Sequence, residues 1–377
     1  MNGPPGSVIV YTCAIAKLTA IMTKHLLTAL AVLSAASLAA PGLVGAQTFK
    51  VEKFDIKGDG GTDYIAAEPG GTGRVFVSRS SHVMVIDGAT GKVLADMPNT
   101  PGVHGIGFAP KAGHGFTTNS GDQTVTMFDL KTLEVLRQIK VGPGLDGIMY
   151  DEPDDRIILT NHSRPIGTLT AIDPSTGDIV ATVNLDDTAP EGAAADGKGR
   201  IFVNNEGTST IQVIDAKTWK ATASWPLAPC EGPTGIAYDR ASNRIFSGCD
   251  THSVVVAAAT GKVVASIPNG TRVDALGWDP EKRLIFIPNG AEGNITVVHQ
   301  DSPDKYRVVA TVATTPGAKT IAVDPVTHNA YVFQPERGPA PAPAPDAPPP
   351  AAGRRRGPQG PIIAAWFVVI KPVEPKP

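Results

Sequence analysis

The sequence is poor in helix signals. After residue 47 there is no long apolar stripe with a 3.6-residue period and capping residues, which excludes a helical solenoid. Turn-forming residues are abundant instead, with 40 glycines and 34 prolines among 377 residues. This composition is typical of a globular chain of short elements joined by many turns.

Motifs of common enzyme classes are also missing. The chain has no CxxCH haem sequence, no HExxH zinc motif, no P-loop and no G-x-S-x-G nucleophile motif. The string Gly105-Ile106-Gly107 opens a predicted strand, which is the wrong context for a dinucleotide site. The sequence therefore leaves catalysis open and favours a non-catalytic protein.

Clustered positive charge is equally scarce. Without residues 1–46 the chain carries 31 basic and 36 acidic side chains, a formal charge of −5. The only basic cluster is Arg354-Arg355-Arg356. We therefore expect no nucleic-acid partner.

The first 46 residues have the pattern of a secretory signal peptide. Lys24 and His25 precede a 15-residue apolar region at 26–40, and Val44-Gly45-Ala46 forms a small-residue cleavage site. A transmembrane anchor is the alternative, but it needs about 18 or more apolar residues. We predict cleavage before Gln47, a periplasmic or secreted location and no membrane span in the mature chain.

Residues 1–21 then form an upstream extension, and Met22 is the more natural start. Removal of the leader takes Cys13 with it and leaves Cys230 and Cys249. Export and an even cysteine count predict a disulfide between them.

What the sequence does contain is a repeat. Residues 233–267 hold four short β-type runs separated by turn residues, the content of one propeller blade. The third run of successive units ends at equivalent residues, spaced by 42, 44, 42, 42 and 42 positions: Asp87, Asp129, Asp173, Asp215, Ala257 and His299. This period suits four-stranded blades.

Seven copies of the first strand of the unit, strand a, are present. They lie at 64–68, 105–109, 147–151, 192–196, 235–239, 275–279 and 320–324. After the last copy of strand a only two further strands fit, at 329–333 and 364–370, so the seventh blade lacks a fourth strand. At the start of the chain, 49–56 is an additional strand before the first copy of strand a. Pairing 49–56 with 364–370 closes the ring. We predict an all-β, seven-bladed β-propeller over 47–371, with a tail at 372–377.

A sequence motif supports this fold. Ile201-Phe202-Val203-Asn204-Asn205, more loosely 158–161 and 116–119, and the Val-Ile-Asp-x-x-Thr-Gly-Lys pattern at 85–92 resemble the YncE-like, YVTN-repeat seven-bladed β-propellers. Many members of that family are exported bacterial proteins, and its shared residues build blades. The resemblance therefore implies a fold and an exported location, and it does not imply an activity.

The repeated aspartates have a structural explanation. A carboxylate at the end of the third strand accepts backbone N–H bonds from the next turn, where a glycine such as Gly91 takes positive φ. Leu133 and Trp219 stand at the place of that glycine. Either the turn type differs there, or these residues bear strain.

A candidate site comes from the residue just before each strand a. Because strand a is innermost, seven such residues should ring one mouth of the axial channel: Asp63, His104, Asp146, Glu191, Thr234, Asp274 and Lys319. The ring is either a solvated structural feature or a ligand site. The seven mature histidines, without close metal-ligand spacing, are interpreted as scattered surface or turn residues.

Two functions follow from this ring. The first is an exported, monomeric, non-catalytic binding or scaffold protein that presents the mouth to a ligand or a protein partner. The second is a metal-assisted hydrolase, like the lactonases on related propellers, with a divalent cation held by the mouth carboxylates and His104. No cofactor other than such a cation is expected.

The last blade contains a Pro-rich insertion at 334–361. Its composition cannot bury a core, so we expect disorder or a solvated arm. It is either an inert insertion, or a lid in which Arg354, Arg355 and Arg356 compete with cationic ligands for the carboxylates of the mouth.

Overall fold

The computed structural model describes residues 47–340 and 360–373. Within these ranges the chain forms 28 β-strands and no helix, so no helix there could cross a membrane. The strands in chain order are β1 Thr48–Asp55, β2 Ile65–Ala67, β3 Arg74–Arg79, β4 His82–Asp87, β5 Val93–Met97, β6 Val103–Ala109, β7 His114–Asn119, β8 Thr124–Asp129, β9 Val135–Lys140, β10 Leu145–Asp151, β11 Arg156–Asn161, β12 Thr168–Ile172, β13 Ile179–Asn184, β14 Pro190–Ala195, β15 Arg200–Asn205, β16 Thr210–Asp215, β17 Lys220–Pro226, β18 Ile236–Asp239, β19 Arg244–Ser247, β20 His252–Ala257, β21 Lys262–Pro268, β22 Gly277–Asp279, β23 Leu284–Asn289, β24 Asn294–Ser302, β25 Lys305–Ala313, β26 Ala322–Val323, β27 Ala330–Arg337 and β28 Ile362–Val373.

These strands form seven antiparallel sheets of four, arranged as a ring of blades. Blades 1 to 6 take four consecutive strands each, from β2 to β25, and blade 7 has the order β26-β27-β28-β1. The predicted seven-bladed propeller and its closure by the N-terminal strand are both confirmed. Strand β1 pairs with β28 over its whole length, from Thr48 opposite Val373 to Asp55 opposite Trp366.

Apolar side chains from neighbouring blades pack together and hold the ring. Between blades 1 and 2, for example, Phe76 and Phe108 make an edge contact with ring centroids 5.0 Å apart, and Phe128 joins the same cluster. Burying one such phenylalanine contributes about 1.5–3 kcal/mol. Each blade therefore depends on its neighbours for the burial of its faces.

A buried arginine secures the seam where the ring closes. Arg79, fully buried at the end of β3, donates to the backbone oxygens of Lys57, Gly58 and Gly60, and its guanidinium lies 4.7 Å from the Phe333 ring centre. Burial lowers the pKa of Arg79 to about 10. The segment after β1, blade 1 and blade 7 thus meet at one side chain.

The turns after the third strands have the predicted geometry. Asp87 Oδ1 accepts the backbone N–H groups of Ala89 and Thr90, and Asp129, Asp173 and Asp215 repeat this arrangement. Leu133 and Trp219 take φ values of 63° and 55°, close to the 69° of Gly91. The turn type is therefore conserved across these blades, and the two side chains occupy the left-handed region.

The last asparagine of the YVTN-type motif also has a structural role. Asn119 Nδ2 donates to Thr124 Oγ1 and Thr126 Oγ1, which ties strand b of the blade to strand c. In blade 5 this position is Cys249, which forms a disulfide with Cys230 at a Cα separation of 5.6 Å. The predicted disulfide is confirmed.

The strands of blade 7 are longer than expected. Strand β27 continues to Arg337, so the first four residues of the predicted insertion at 334–361 are paired strand residues, and β28 begins at Ile362, two residues before the predicted strand at 364–370. Two predictions concern residues outside those described: the signal peptide, and the arginine cluster of Arg354, Arg355 and Arg356.

Candidate functional site

Six of the seven predicted mouth residues line one cavity of about 380 Å³ at one end of the channel. Its lining is Asp63, Tyr64, His104, Ser120, Gly144, Leu145, Asp146, His162, Glu191, Asp274 and Lys319. Asp146 and Glu191 are buried, whereas Asp63, His104, Asp274 and Lys319 are partly exposed. We call these eleven residues the channel mouth.

Thr234 is the exception among the predicted site residues. Its hydroxyl donates to the backbone oxygen of Val273 at 3.0 Å, and the residue lines the apolar middle of the channel rather than the mouth. Its side chain is therefore occupied with holding neighbouring blades together. The structure brings the other six predicted residues together and leaves this one apart.

Acidic and basic side chains alternate around the mouth. Lys319 Nζ contacts a carboxylate oxygen of Asp274 and lies 2.8 Å from Asp63 Oδ1. His104 Nδ1 continues the series, 2.5 Å from Asp63 Oδ2 and 3.0 Å from Asp146 Oδ1.

His162 extends the same series to blade 4. Its Nε2 lies 3.1 Å from Asp146 Oδ2 and 3.1 Å from Glu191 Oε1. Asp146 therefore contacts one imidazole with each of its two oxygens. In total, four carboxylates face one ammonium and two imidazole groups.

Glycines in the innermost strands allow these side chains to approach each other. A Cβ on Gly147 would lie 2.6 Å from Thr160 Oγ1 and 3.1 Å from the backbone oxygen of Glu191, so neighbouring strands a could not come this close with a larger residue. Thr118 fixes the register, since its hydroxyl accepts from Gly105 N–H at 2.8 Å and donates to Asp146 O at 2.6 Å.

The mouth environment changes the pKa values of its members. For His104, burial disfavours the charged form, but the close carboxylates of Asp146 and Asp63 outweigh burial and raise the pKa to about 10. The pKa of His162 is also raised to about 10, because Asp146 and Glu191 favour the charged imidazole more strongly than burial disfavours it. Burial raises the pKa of Glu191, whereas the imidazole partners overcome burial and lower that of Asp146.

Five residues of the mouth were not predicted from the sequence: Tyr64, Ser120, Gly144, Leu145 and His162. The interpretation of the histidines as scattered surface or turn residues is wrong for His104 and His162, which both contact Asp146. Ser120 and His162 directly follow the last residues of β7 and β11. The residue after strand b therefore faces the mouth too, and that rule would have found both.

Two buried atoms of the mouth lack a hydrogen-bond partner. Asp146 Oδ1 and His162 Nε2 are within 3.1 Å of oppositely charged groups, but the angles are unsuited to hydrogen bonds and both atoms are unsatisfied. Two groups of three ligand-type atoms meet the spacing of a metal site: Asp63, His104 and Asp146, and Asp146, His162 and Glu191. Carboxylate oxygens and imidazole nitrogens are ligands for several divalent metals.

The channel is less polar beyond the mouth. Its middle is lined mostly by glycine, alanine and isoleucine, including Ile106 and Ile148. The same two isoleucines reach a second cavity of about 480 Å³, which also contains Lys111 and Arg240. The second cavity is lined by one carboxylate, that of Glu152, whereas the mouth is lined by four.

Comparison with known proteins supports the fold. No family model matches the chain, and no curated protein matches it. Among solved structures, a chain described as "Kuenenia stuttgartiensis Hydrazine Synthase" aligns with a TM-score of 0.64 at 16% identity, covering 74% of this chain and 93% of that one.

Two further solved structures are similar. A chain from "Crystal Structure of Mitotic Checkpoint Complex" has a TM-score of 0.63 at 15% identity and covers 74% of this chain and 87% of its own length. "Crystal structure of RRP9 WD40 repeats" has a TM-score of 0.69 at 8% identity, with coverage of 85% and 97%. At identities this low, the structural similarity shows the β-propeller fold alone and no shared activity, and membership of the YncE-like family stays a prediction.

Proposed function

We propose that this chain is an exported, non-catalytic binding protein whose channel mouth takes a small cationic ligand. The observation that carries the proposal is the convergence of Asp63, Asp146, Glu191 and Asp274 on one open cavity. Concave sites with few, well-placed polar groups are where small ligands bind in folded proteins. Propellers are rigid rings, so such a site is formed before the ligand arrives.

Charge sets the class of ligand. Even with both imidazoles protonated, the four carboxylates outnumber the three cationic groups by one, and Asp146 and Glu191 are buried where screening by salt is weak. An anion would have to approach these carboxylates and would be repelled. We therefore expect cations to bind and anions not to bind.

Export is part of the proposal and is supported by the leader sequence and the disulfide. A bond between Cys230 and Cys249 is stable in an oxidising compartment. Expression of the full chain in a bacterium, followed by cell fractionation and N-terminal sequencing, should give a periplasmic or secreted protein that starts at Gln47. A cytoplasmic protein with its leader intact would contradict this part.

Ligand binding is tested by a panel of small organic cations and matched anions in thermal-shift and calorimetric assays. The expected result is stabilisation by one or more cations, lost in Glu191→Gln and kept in Glu281→Gln. Glu281 is a fitting control because its side chain is 72% exposed and lies in a turn at the other end of a blade. Stabilisation by anions alone would overturn the proposal.

The second candidate function is a metal-assisted hydrolase. It is favoured by the two three-atom groups around Asp146, because a divalent cation there would polarise a carbonyl or activate a water. Lactone and ester hydrolysis should be assayed with and without added divalent metal. Turnover that depends on both metal and Asp146 would favour the hydrolase over the binding protein.

A further inference from the structure

We propose that the channel mouth holds a pair of divalent metal ions bridged by Asp146. The first ion would be bound by Asp63 Oδ2, His104 Nδ1 and Asp146 Oδ1. The second would be bound by Asp146 Oδ2, His162 Nε2 and Glu191 Oε1. This inference rests on the proposed function, since it names a cation class for the same cavity.

The spacing of the donor atoms fits a shared metal. Within each group the three atoms lie within 4.8 Å of one another, and three of the four acid–imidazole separations are 3.0, 3.1 and 3.1 Å. Ligands at about 2.1 Å from one ion are about 3.0 Å apart in an octahedron and about 3.4 Å apart in a tetrahedron. The observed separations are those of neighbouring ligands around an ion.

The unsatisfied atoms provide an independent argument. Asp146 is 7% exposed, and its Oδ1 has no hydrogen-bond partner although it faces the cavity. His162 Nε2 also has no hydrogen-bond partner, and a buried polar atom without a partner destabilises the folded state. An ion at each group would satisfy both atoms, taking the place of the proton on each imidazole nitrogen.

The bridging role follows from how Asp146 divides its two oxygens. Oδ1 belongs to the His104 group and Oδ2 to the His162 group. A carboxylate with one oxygen on each of two ions is a common element of paired metal sites, whose ions are about 3.5–4 Å apart. No other residue belongs to both groups.

Contacts outside the ligand atoms hold three of the ligands in place. His104 Nε2 lies 3.0 Å from Ser120 Oγ, which would fix the tautomer that leaves Nδ1 free for an ion. Lys319 contacts Asp63 Oδ1, and Tyr64 OH lies 3.4 Å from Glu191 Oε2. Such outer partners orient ligands in established metal sites.

The ligand set defines the class of metal. Each ion would have two carboxylate oxygens and one imidazole nitrogen, with the remaining positions open to water from the cavity. This donor set suits Mn²⁺, Zn²⁺ and similar first-row ions better than thiolate-seeking Cu(I).

The test uses the mature, disulfide-bonded protein, stripped with EDTA and titrated with Mn²⁺. We expect two ions per chain by calorimetry and metal analysis, and a spin-coupled electron paramagnetic resonance spectrum. Asp146→Asn should weaken binding of both ions at least about 100-fold, whereas His162→Ala should leave one uncoupled ion. His252→Ala is the matched control, because His252 is exposed on the same face in blade 5, and it should keep both ions.

A stoichiometry of one or none, or two ions retained in Asp146→Asn, would overturn the inference. Circular dichroism and thermal unfolding without metal identify any variant that fails to fold, and Glu191→Gln then replaces it, with loss of one ion expected. Organic cations are assayed separately. If they bind through Glu191 while Mn²⁺ does not bind, the metal pair is wrong and the proposed function stands; if neither binds, both are wrong.

Discussion

Two sides of the ring of blades use the same position of the repeat in different ways. On one side, Asp63, His104 and Asp146 lie at the start of the innermost strands of blades 1 to 3, and His104 contacts both carboxylates. On the other side, Thr234 of blade 5 hydrogen-bonds to backbone, and the same blade carries the disulfide. The repeat determines the position of this residue in each blade. The side chain determines whether the residue joins the charged cluster or holds neighbouring blades together.

The largest effect is expected from opening the ring. Deleting residues 47–57 removes β1, exposes the edge of β28 and takes away one backbone acceptor of Arg79, the oxygen of Lys57. We expect loss of cooperative thermal unfolding or aggregation, because an unpaired edge strand recruits other chains. An unchanged melting curve would show that blade 7 does not need its N-terminal strand.

A smaller change at the same seam should also be costly. Arg79→Met leaves three partly buried backbone oxygens without their charged donor, so we expect a loss of about 3–5 kcal/mol in the free energy of unfolding. Arg137→Met is the control, since Arg137 is in an exposed pair with Asp178 and should cost less than about 1 kcal/mol. Equal losses in urea denaturation would contradict the role of Arg79.

Removal of the disulfide should lower the stability of the fold and leave the channel mouth unchanged. Replacing Cys230 and Cys249 by serine should lower the free energy of unfolding by about 3 kcal/mol, the chain-entropy value for a loop of this length. Cation binding at the mouth should not change, because the bond lies in blade 5, on the side of Thr234. Weakened binding in the folded variant would show that the two sides are coupled. Two free thiols in the unreduced, unfolded wild type would refute the bond itself.

Blade 3 offers a comparison between its two ends. Asp146 begins β10 at the mouth, whereas Asp151 ends it, and there burial and then Asp154 raise the pKa of Asp151 to about 6. Because its pKa in the folded protein is above the ordinary value, Asp151 stabilises the fold fully below about pH 4. That contribution is lost as the pH rises through 6.

The corresponding variant is Asp151→Asn. It should remove this pH dependence and gain on the order of 2 kcal/mol at pH 7 relative to the wild type. Urea denaturation at pH 4, 5, 6 and 7 measures the effect. Parallel pH profiles for the two proteins would show that Asp151 ionises normally.

Most of the fold was predictable because it repeats. The spacing of Asp87, Asp129, Asp173 and Asp215 gave the period, and the surplus run at 49–56 predicted how the ring closes. The lengths of β27 and β28 were not predictable, because the strand residues from Gln334 to Arg337 are in a Pro-rich context that usually ends a strand.

The position of the candidate site could be predicted from the sequence, but only some of the residues that line it could. The rule that the residue at the start of each innermost strand faces the mouth predicted the positions of Asp63, His104 and Asp146 correctly. Thr234 occupies the same position in its blade but hydrogen-bonds to backbone instead. His162 was missed because its distance from Asp146 along the chain gives no hint of contact. Asp146 and His162 both belong to blade 3, where Leu145 pairs with Asn161, whereas the contact of His162 with Glu191 depends on the close approach of blades 3 and 4, which Gly147 permits.

The most direct test of the account is a crystal structure of the mature protein soaked with Mn²⁺, with an anomalous difference map. The account predicts two peaks flanking Asp146, one beside His104 and one beside His162, and none beside Thr234. An empty mouth, or a peak only elsewhere on the propeller, would contradict it.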